Sequence, residues 1–260
     1  MTGPGAGRPA GADAAGRDLL IIGAGGFGRE TAQAVSALNQ AGPAWRLLGY
    51  VDDDPQRHGA LVDGVAVLGG REVLGQAPQA RVVVCTGRPG DYTSRVRIVR
   101  ELGLPWQRYA TIVHPSAALS ASSWVGPGSV LLAHAVLTAA VRVGAHVAVM
   151  PHVTLTHDDV IDDFATIASG ACLGGRVTIG QAAYIGARAV IGENLSVGAC
   201  ALVGMGAVVT GDVPGREVWA GVPARRLRAA SVRITADDGP GRAHSGHEDA
   251  PVEVGRPGKK

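Results

Sequence analysis

Between Val113 and Val209 the hydrophobic positions fall on a six-residue beat. Val113, Leu119, Val125, Leu131, Leu137, Val143, Val149, Leu155, Ile161, Ile167, Leu173, Ile179, Ile185, Ile191, Val197, Val203 and Val209 are seventeen consecutive positions spaced by six, and all are aliphatic. Four residues after the aliphatic the side chain is mostly small, as at Ala117, Ser123, Ser129, Ala135, Ala165 and Ala171. One residue after it, glycine recurs at 126, 144, 174, 180, 186, 192, 198 and 204. Helical and coiled-coil periods fail over the same span. A hexad repeat this long predicts a parallel β-helix, each hexad supplying a short strand and a corner. The aliphatic fills the interior, the small residue lets the wall close, and glycine accepts backbone angles that other residues resist. Three hexads make one triangular coil, so residues 18 apart stack and the repeat makes between five and six coils.

Upstream the pattern changes. Asp18–Ile22 reads as a buried strand and runs straight into Gly23-Ala-Gly25-Gly-Phe-Gly28, after which Ala32, Val35 and Leu38 share one helical face. A second strand, Leu47–Val51, leads into Asp52-Asp53-Asp54-Pro55; a third, Val82–Cys85, ends at Thr86-Gly87; Ser94–Leu102 reads as helix. The expected architecture is a Rossmann-like α/β domain with a parallel sheet over 18–108, then an all-β β-helix over 109–228. Residues 1–17 and 229–260 are rich in Gly, Pro and charge without periodicity and are expected to be unstructured tails.

Composition sharpens this picture at a few points. The 39 glycines and 4% aromatics suit narrow coils. A net charge of +2 with no basic stripe argues against a nucleic-acid partner. Cys85, Cys172 and Cys200 are widely spaced, with no CxxC or Cys/His zinc pattern, which suits reduced thiols in a cytoplasmic protein. No apolar run is long enough for a membrane span, and none near the N-terminus forms a secretory h-region.

Two constellations carry chemistry. Gly23, Gly25 and Gly28 fit G-x-G-x-x-G between a strand and a helix, where free N–H groups meet phosphates. Asp52 or Asp53 would accept hydrogen bonds from a ribose or base. The competing readings are an ordinary tight turn and a nicotinamide-dependent dehydrogenase, for which a β-helix is an unsuitable catalytic domain. Within the β-helix, His157 stands near a corner with Asp158 beside it, a pairing that can orient an imidazole and raise its basicity. Gly175 is 18 residues further on, so its N–H would face the same pocket. His134 and His152, also 18 apart, should stack on one another. Together with His157 they raise a three-histidine zinc site of the γ-carbonic-anhydrase kind. That site would need a histidine 36 residues before His152, and the nearest, His114, is 38 away; no metal ligands are therefore assigned.

The order Ile-Ile-Gly-Ala-Gly-Gly-Phe-Gly-Arg-Glu (21–30), Gly-Tyr-Val-Asp-Asp (49–53), Val-Leu-Gly-Gly (67–70), Val-His-Pro-Ser-Ala (113–117), Thr-His-Asp-Asp (156–159) and Gly-Val-Pro-Ala-Arg (221–225) closely resembles the sialic acid O-acetyltransferase and bacillosamine-pathway N-acetyltransferase (NeuD/PglD-like) family. The resemblance spans about residues 18–228. It implies a left-handed β-helix, a homotrimer with active sites between adjacent β-helices, and acetyl-CoA as acyl donor. By the same resemblance His157 is the general base, Asp158 its partner, and the Gly175 amide meets the thioester carbonyl. Gly204, Gly206 and Ala207, with Gly221, Val222, Pro223 and Arg225, would flank CoA. Gly25, Gly26 and Asp52 would hold a nucleotide-linked sugar, with Phe27, Asp53, Thr86 and Gly87 completing the expected acceptor set. The implied reaction is acetyl transfer to an amino sugar by direct attack. The alternatives are O-acetylation of a sugar or sialic-acid-like hydroxyl, a metal enzyme, and a scaffold without catalysis. Three positions depart from the family pattern: Thr166 stands where many relatives have a second histidine, Asp159 where cysteine is usual, and Asp162 at a hexad glycine. Position 159 should face the interior, where a carboxylate needs N–H donors or a proton.

Overall fold

The structure, a computed structural model, describes residues 18–232. Its first part comprises β1 (Asp18–Ile22), α1 (Gly26–Ala41), β2 (Arg46–Val51), β3 (Leu61–Val62), β4 (Val65–Gly69), α2 (Val73–Gln76), β5 (Arg81–Val84) and α3 (Ser94–Leu102). The sheet order is β3-β4-β2-β1-β5. β1 lies parallel to β2 and β5, and β2 parallel to β4. The unbroken apolar run of β1 follows from burial on both faces. Leu19 and Ile21 pack with Ala32, Ala34 and Val35 of α1; Leu20 and Ile22 pack with Val82 and Val84 on the side of Ile98 and Val99 of α3. The antiparallel β3–β4 hairpin and the short α2 go beyond the sequence expectation. The hairpin turns at Asp63 and Gly64, both at positive φ.

The hexads then give strands at every expected step. From β6 (Ile112–Val113) to β22 (Val208–Val209) there are seventeen two-residue strands among the described residues, and each expected aliphatic is the second residue of its strand. Every third strand shares a face, and pairing runs parallel with an offset of 18, as for Val136 with Thr154 and Leu137 with Leu155. The first face begins at β6, the second at β7 (Ala118–Leu119) and the third at β8 (Trp124–Val125). Leu131, Leu155, Ile167, Leu173, Ile179 and Ile185 are completely inaccessible inside this prism, and each such burial stabilises by roughly 1.5–3 kcal/mol.

The three edges of the prism have separate surroundings. Between the first and second faces run His134, His152, Gly170, Arg188 and Gly206; between the second and third run Ala140, Asp158, Arg176 and Asn194; between the third and first run His146, Phe164, Ala182 and Cys200. The third–first edge receives the α/β unit. Val96 packs with Phe164, Ala182 and Cys200, and the Tyr92 hydroxyl donates to the Cys200 carbonyl.

At that junction the guanidinium of Arg95, 2% exposed, is shared between both parts. It donates to the Thr86 carbonyl at 2.6 Å, and across the junction to the carbonyls of His146, Phe164 and Ala165 and to the Thr166 hydroxyl at 2.6 Å. Burial pulls its pKa down to about 10. This accounts for Thr166, whose hydroxyl faces the junction.

The first face is extended by β23 (Glu217–Gly221), parallel to β21 (Leu202–Val203), and by β24 (Ala224–Ala229), antiparallel to β23. This hairpin, too, goes beyond the sequence expectation. The Ala230 N–H bonds to the Arg216 carbonyl, so paired chain continues past the boundary expected at 229. The expected tails over 1–17 and 233–260 lie outside the described residues.

Candidate functional site

The edge between the second and third faces brings His157, Asp158 and Gly175 together. His157 follows β13 (Thr154–Leu155) and is exposed, as is Asp158, whose φ of 64° turns the chain at the corner. Asp158 Oδ2 lies 2.9 Å from His157 Nδ1, leaving Nε2 to face away from the carboxylate. One coil above, a Cβ added to Gly175 would stand 2.3 Å from Nε2 and 2.4 Å from Cε1. The imidazole edge therefore occupies the space over a bare backbone, as the spacing of 18 predicts. Such an arrangement can accept a proton at Nε2 and offer a backbone dipole beside it.

Beneath this pair lies a buried charge. Asp159 is completely inaccessible, as its interior position requires. Its Oδ2 accepts from the Thr156 N–H at 2.8 Å and its Oδ1 from the Val177 N–H at 2.9 Å. Burial raises its carboxyl to about 6, partly offset by those two donors and by His157. Burial also raises Asp162, with Asp163 adding to the effect.

The glycine turn of the α/β unit divides into two kinds of glycine. A Cβ on Gly28 would fall 1.9 Å from the Gly23 carbonyl oxygen, and Gly23 itself has φ +100° with Cys85 O 2.9 Å from where its own Cβ would stand. These two are demanded by packing of helix against strand. A Cβ on Gly25 or Gly26 would meet nothing within 4 Å, so that surface is open to an approaching ligand. Asp52 joins the turn, accepting from the Ala24 N–H at 2.8 Å. Asp53 does not; its carboxylate is held by Arg71. Phe27 packs in the α/β core with the Arg95 guanidinium over its ring. The Thr86 hydroxyl accepts from Ser94, and Gly87 sits at φ +128° against Arg95 Nη1.

The residues expected around CoA lie elsewhere on the chain. Gly204, Gly206 and Ala207 belong to the first–second edge, a full face away from His157. Gly206 is at φ +66° with nothing within 4 Å of an added Cβ, whereas Gly204 packs on Ala220 and the Ala207 side chain is buried. Next to them, Val222 and Pro223 turn the chain between β23 and β24, with Gly221 and Arg225 in the flanking strands; Val222 is 73% exposed, and Met205 is 80% exposed. Within one chain this surface and His157 do not meet.

His134 and His152 stack, with ring centroids 5.0 Å apart and 25° between planes. Burial, then His134, lowers the pKa of His114. Among the described residues no three His, Cys, Asp or Glu side chains are grouped to hold a metal ion, and no helix is long and apolar enough to cross a membrane. Sequence reasoning misses Arg95, which lies on a helix with Arg97 and Arg100 and carries no signal of burial.

Residues 18–102 match the PglD N-terminal domain family. The chain is also similar to solved structures over most of its length. The acetyltransferase domain of PglB from Neisseria gonorrhoeae FA1090, in complex with acetyl coenzyme A, is 32% identical with a TM-score of 0.71, covering 81% of this chain and 99% of that one. PerB from Caulobacter crescentus, in complex with CoA and GDP-perosamine, is 25% identical with a TM-score of 0.71, covering 81% and 97%. WeeI from Acinetobacter baumannii AYE is 28% identical with a TM-score of 0.69, covering 80% and 99%. Comparison with curated protein sequences gives no match.

Proposed function

Because the chain belongs to the PglD/NeuD-type sugar acetyltransferases, a family of left-handed β-helix acyltransferases, we propose that it transfers an acetyl group from acetyl-CoA to the amino group of a nucleotide-linked sugar. The PglB domain binds acetyl-CoA and PerB binds CoA with GDP-perosamine, which supports both substrates here. The observation that carries the reading is the His157 Nε2 edge against the bare backbone of Gly175, with Asp158 on Nδ1.

The chemistry follows from those groups. An amine attacking a thioester must shed a proton, and His157 Nε2 accepts it while the new C–N bond forms. Asp158 fixes the tautomer with Nδ1–H toward the carboxylate and stabilises the imidazolium. The Gly175 N–H donates to the carbonyl oxygen as negative charge gathers there. No covalent acyl-enzyme is needed: the tetrahedral intermediate collapses with cleavage of the C–S bond, and the CoA thiolate leaves, taking up the proton held by the His157 imidazolium to give the free thiol. The open glycines at 25 and 26, beside Asp52, receive the nucleotide phosphates and ribose.

We further propose a homotrimer. His157 and the Gly204–Ala207 and Gly221–Arg225 surface stand on different edges, so a second copy must bring its edge alongside to complete each site. The residues fit CoA through the open backbone at Gly206 and the exposed apolar side chains of Met205 and Val222. A cytoplasmic location is the reading consistent with free cysteines and nucleotide-sugar substrates.

A thiol-release screen with acetyl-CoA against nucleotide-linked amino sugars, GDP-perosamine included, tests this directly. His157→Ala should lower kcat by about 10²–10⁴-fold and leave the assembly intact by light scattering. Absence of thiol release with every acceptor in the panel, or near-parent turnover by His157→Ala, would refute the mechanism. A fully active monomer would refute the shared site.

A further inference from the structure

Among the described residues the second face has one interruption in its hydrogen-bond ladder, and it lies beside His157. On that face the N–H of the residue after each strand donates to a carbonyl of the coil above: Ser120 to Leu137, Thr138 to Leu155, Gly174 to Ile191 and Gly192 to Val209. The expected bond from the Thr156 N–H to the Leu173 carbonyl is replaced. That N–H turns inward to Asp159 Oδ2, and the Thr156 hydroxyl takes its place on the Leu173 carbonyl at 3.0 Å. The pairing of β13 with β16 (Cys172–Leu173) accordingly holds one residue pair, Thr154 with Cys172, where the neighbouring pairs on that face hold two.

The coil above is altered by the same side chain. At many corners the N–H of the small residue closes the turn on itself, as Ala171 does to the Ala168 carbonyl and Ala189 to the Gly186 carbonyl. The Val177 N–H goes instead to Asp159 Oδ1. One buried carboxylate therefore holds the residue just before His157 and the residue two after Gly175. Ser123 and Ser129, at the equivalent step of lower coils, each accept from one backbone N–H, the upward one, of Val141 and Val147 respectively.

We propose that Asp159 is a positioning residue for the transfer reaction: by drawing Thr156 out of the ladder and pinning the Gly175 corner, it sets the separation between the His157 imidazole and the Gly175 backbone. This rests on His157 acting as the base. The carboxylate touches neither substrate. It acts through the two backbone segments that carry the groups which do. Elsewhere in this prism the same corner closes without a charge, as at Ala171 and Ala189.

Asp159→Ser separates this role from support of the prism, because Ser123 and Ser129 occupy the same step in coils that fold. Serine keeps one bond, to Val177, and frees Thr156 to rejoin Leu173. Assays use the full chain at about pH 8, above the raised Asp159 pKa, with acetyl-CoA and GDP-perosamine or the best acceptor of the panel. The expected result is a kcat lower by about 10–100-fold, since displacements near 1 Å cost about that much, with KM for acetyl-CoA within about twofold and melting within a few degrees. A crystal structure of Asp159→Ser should show the Thr156 N–H on the Leu173 carbonyl. Asp159→Asn, which presents an NH₂ to one of the two N–H donors, should lose kcat as well. Parent kcat in Asp159→Ser overturns the proposal, and so does a loss that merely tracks unfolding or a matching rise in KM. His157→Ala is measured alongside: if it stays active, the base assignment has failed, whereas an inactive His157→Ala with a fully active Asp159→Ser sinks the positioning role alone.

Discussion

Gly175→Ala adds one methyl group where the structure has the least room for it. The new carbon would lie 2.3 Å from His157 Nε2, against about 3.4 Å for ordinary contact, so something must give by about 1.1 Å. Gly175 is outside the positive-φ region, and alanine suits its backbone. The yielding partner is the exposed imidazole, which is tethered by its bond to Asp158. Stability should therefore barely change, while the base moves about 1 Å from its working position. A misplacement of that size costs on the order of 10²-fold in rate, or about 2.7 kcal/mol. The assay is kcat for thiol release together with thermal melting. A double-mutant cycle sharpens it: if the methyl group acts only by displacing His157, adding Gly175→Ala to His157→Ala should cost almost nothing further. Near-parent kcat in Gly175→Ala, or full additivity in the cycle, would refute the reasoning.

Other predictions concern different parts of the molecule. Gly28→Ala should destabilise by at least about 2 kcal/mol, because its Cβ meets backbone at 1.9 Å, whereas Gly25→Val should fold normally and raise KM for the acceptor but not for acetyl-CoA; urea unfolding and steady-state kinetics separate the two. Arg95→Met strips donors from four carbonyls and the Thr166 hydroxyl, and should cost about 3 kcal/mol or more by the same urea titration. Asp159, raised to about 6 by burial, keeps a proton in the fold that the unfolded chain has released above about 4. Unfolding therefore releases a proton in this window, so stability should fall as pH rises from about 4 to about 6, and Asp159→Ser should flatten that slope.

Most of the fold could be read because the hexad imposes one rule on every coil, and each of the aliphatic steps became a strand. The His157–Gly175 pairing came from the same arithmetic. The same arithmetic places Gly204 on another edge: 47 residues beyond His157 is not a multiple of 18, so the two do not share a corner. The β3–β4 hairpin also had a signal in Val62-Asp63-Gly64-Val65, a turn pair between apolar residues. Arg95 had none. Its partners are mostly carbonyls 51 to 70 residues away, and main-chain acceptors leave no trace in a sequence. The ladder break at Thr156 is hidden for a similar reason, since an aspartate at an inward step announces a need for donors but not which ones it will take.

The three edges give the prism a division of labour that insertions and deletions must respect. Excising 18 residues removes one storey and returns every later residue to its own edge, so interior stacking survives. Excising six or twelve would rotate everything beyond the cut by one or two edges, so that the α/β unit would meet residues shaped for a different edge. Length changes in such a protein are therefore quantised. A chain that gains a whole coil above Cys200 keeps the junction and the His157–Gly175 pairing while altering how far the far end stands from them.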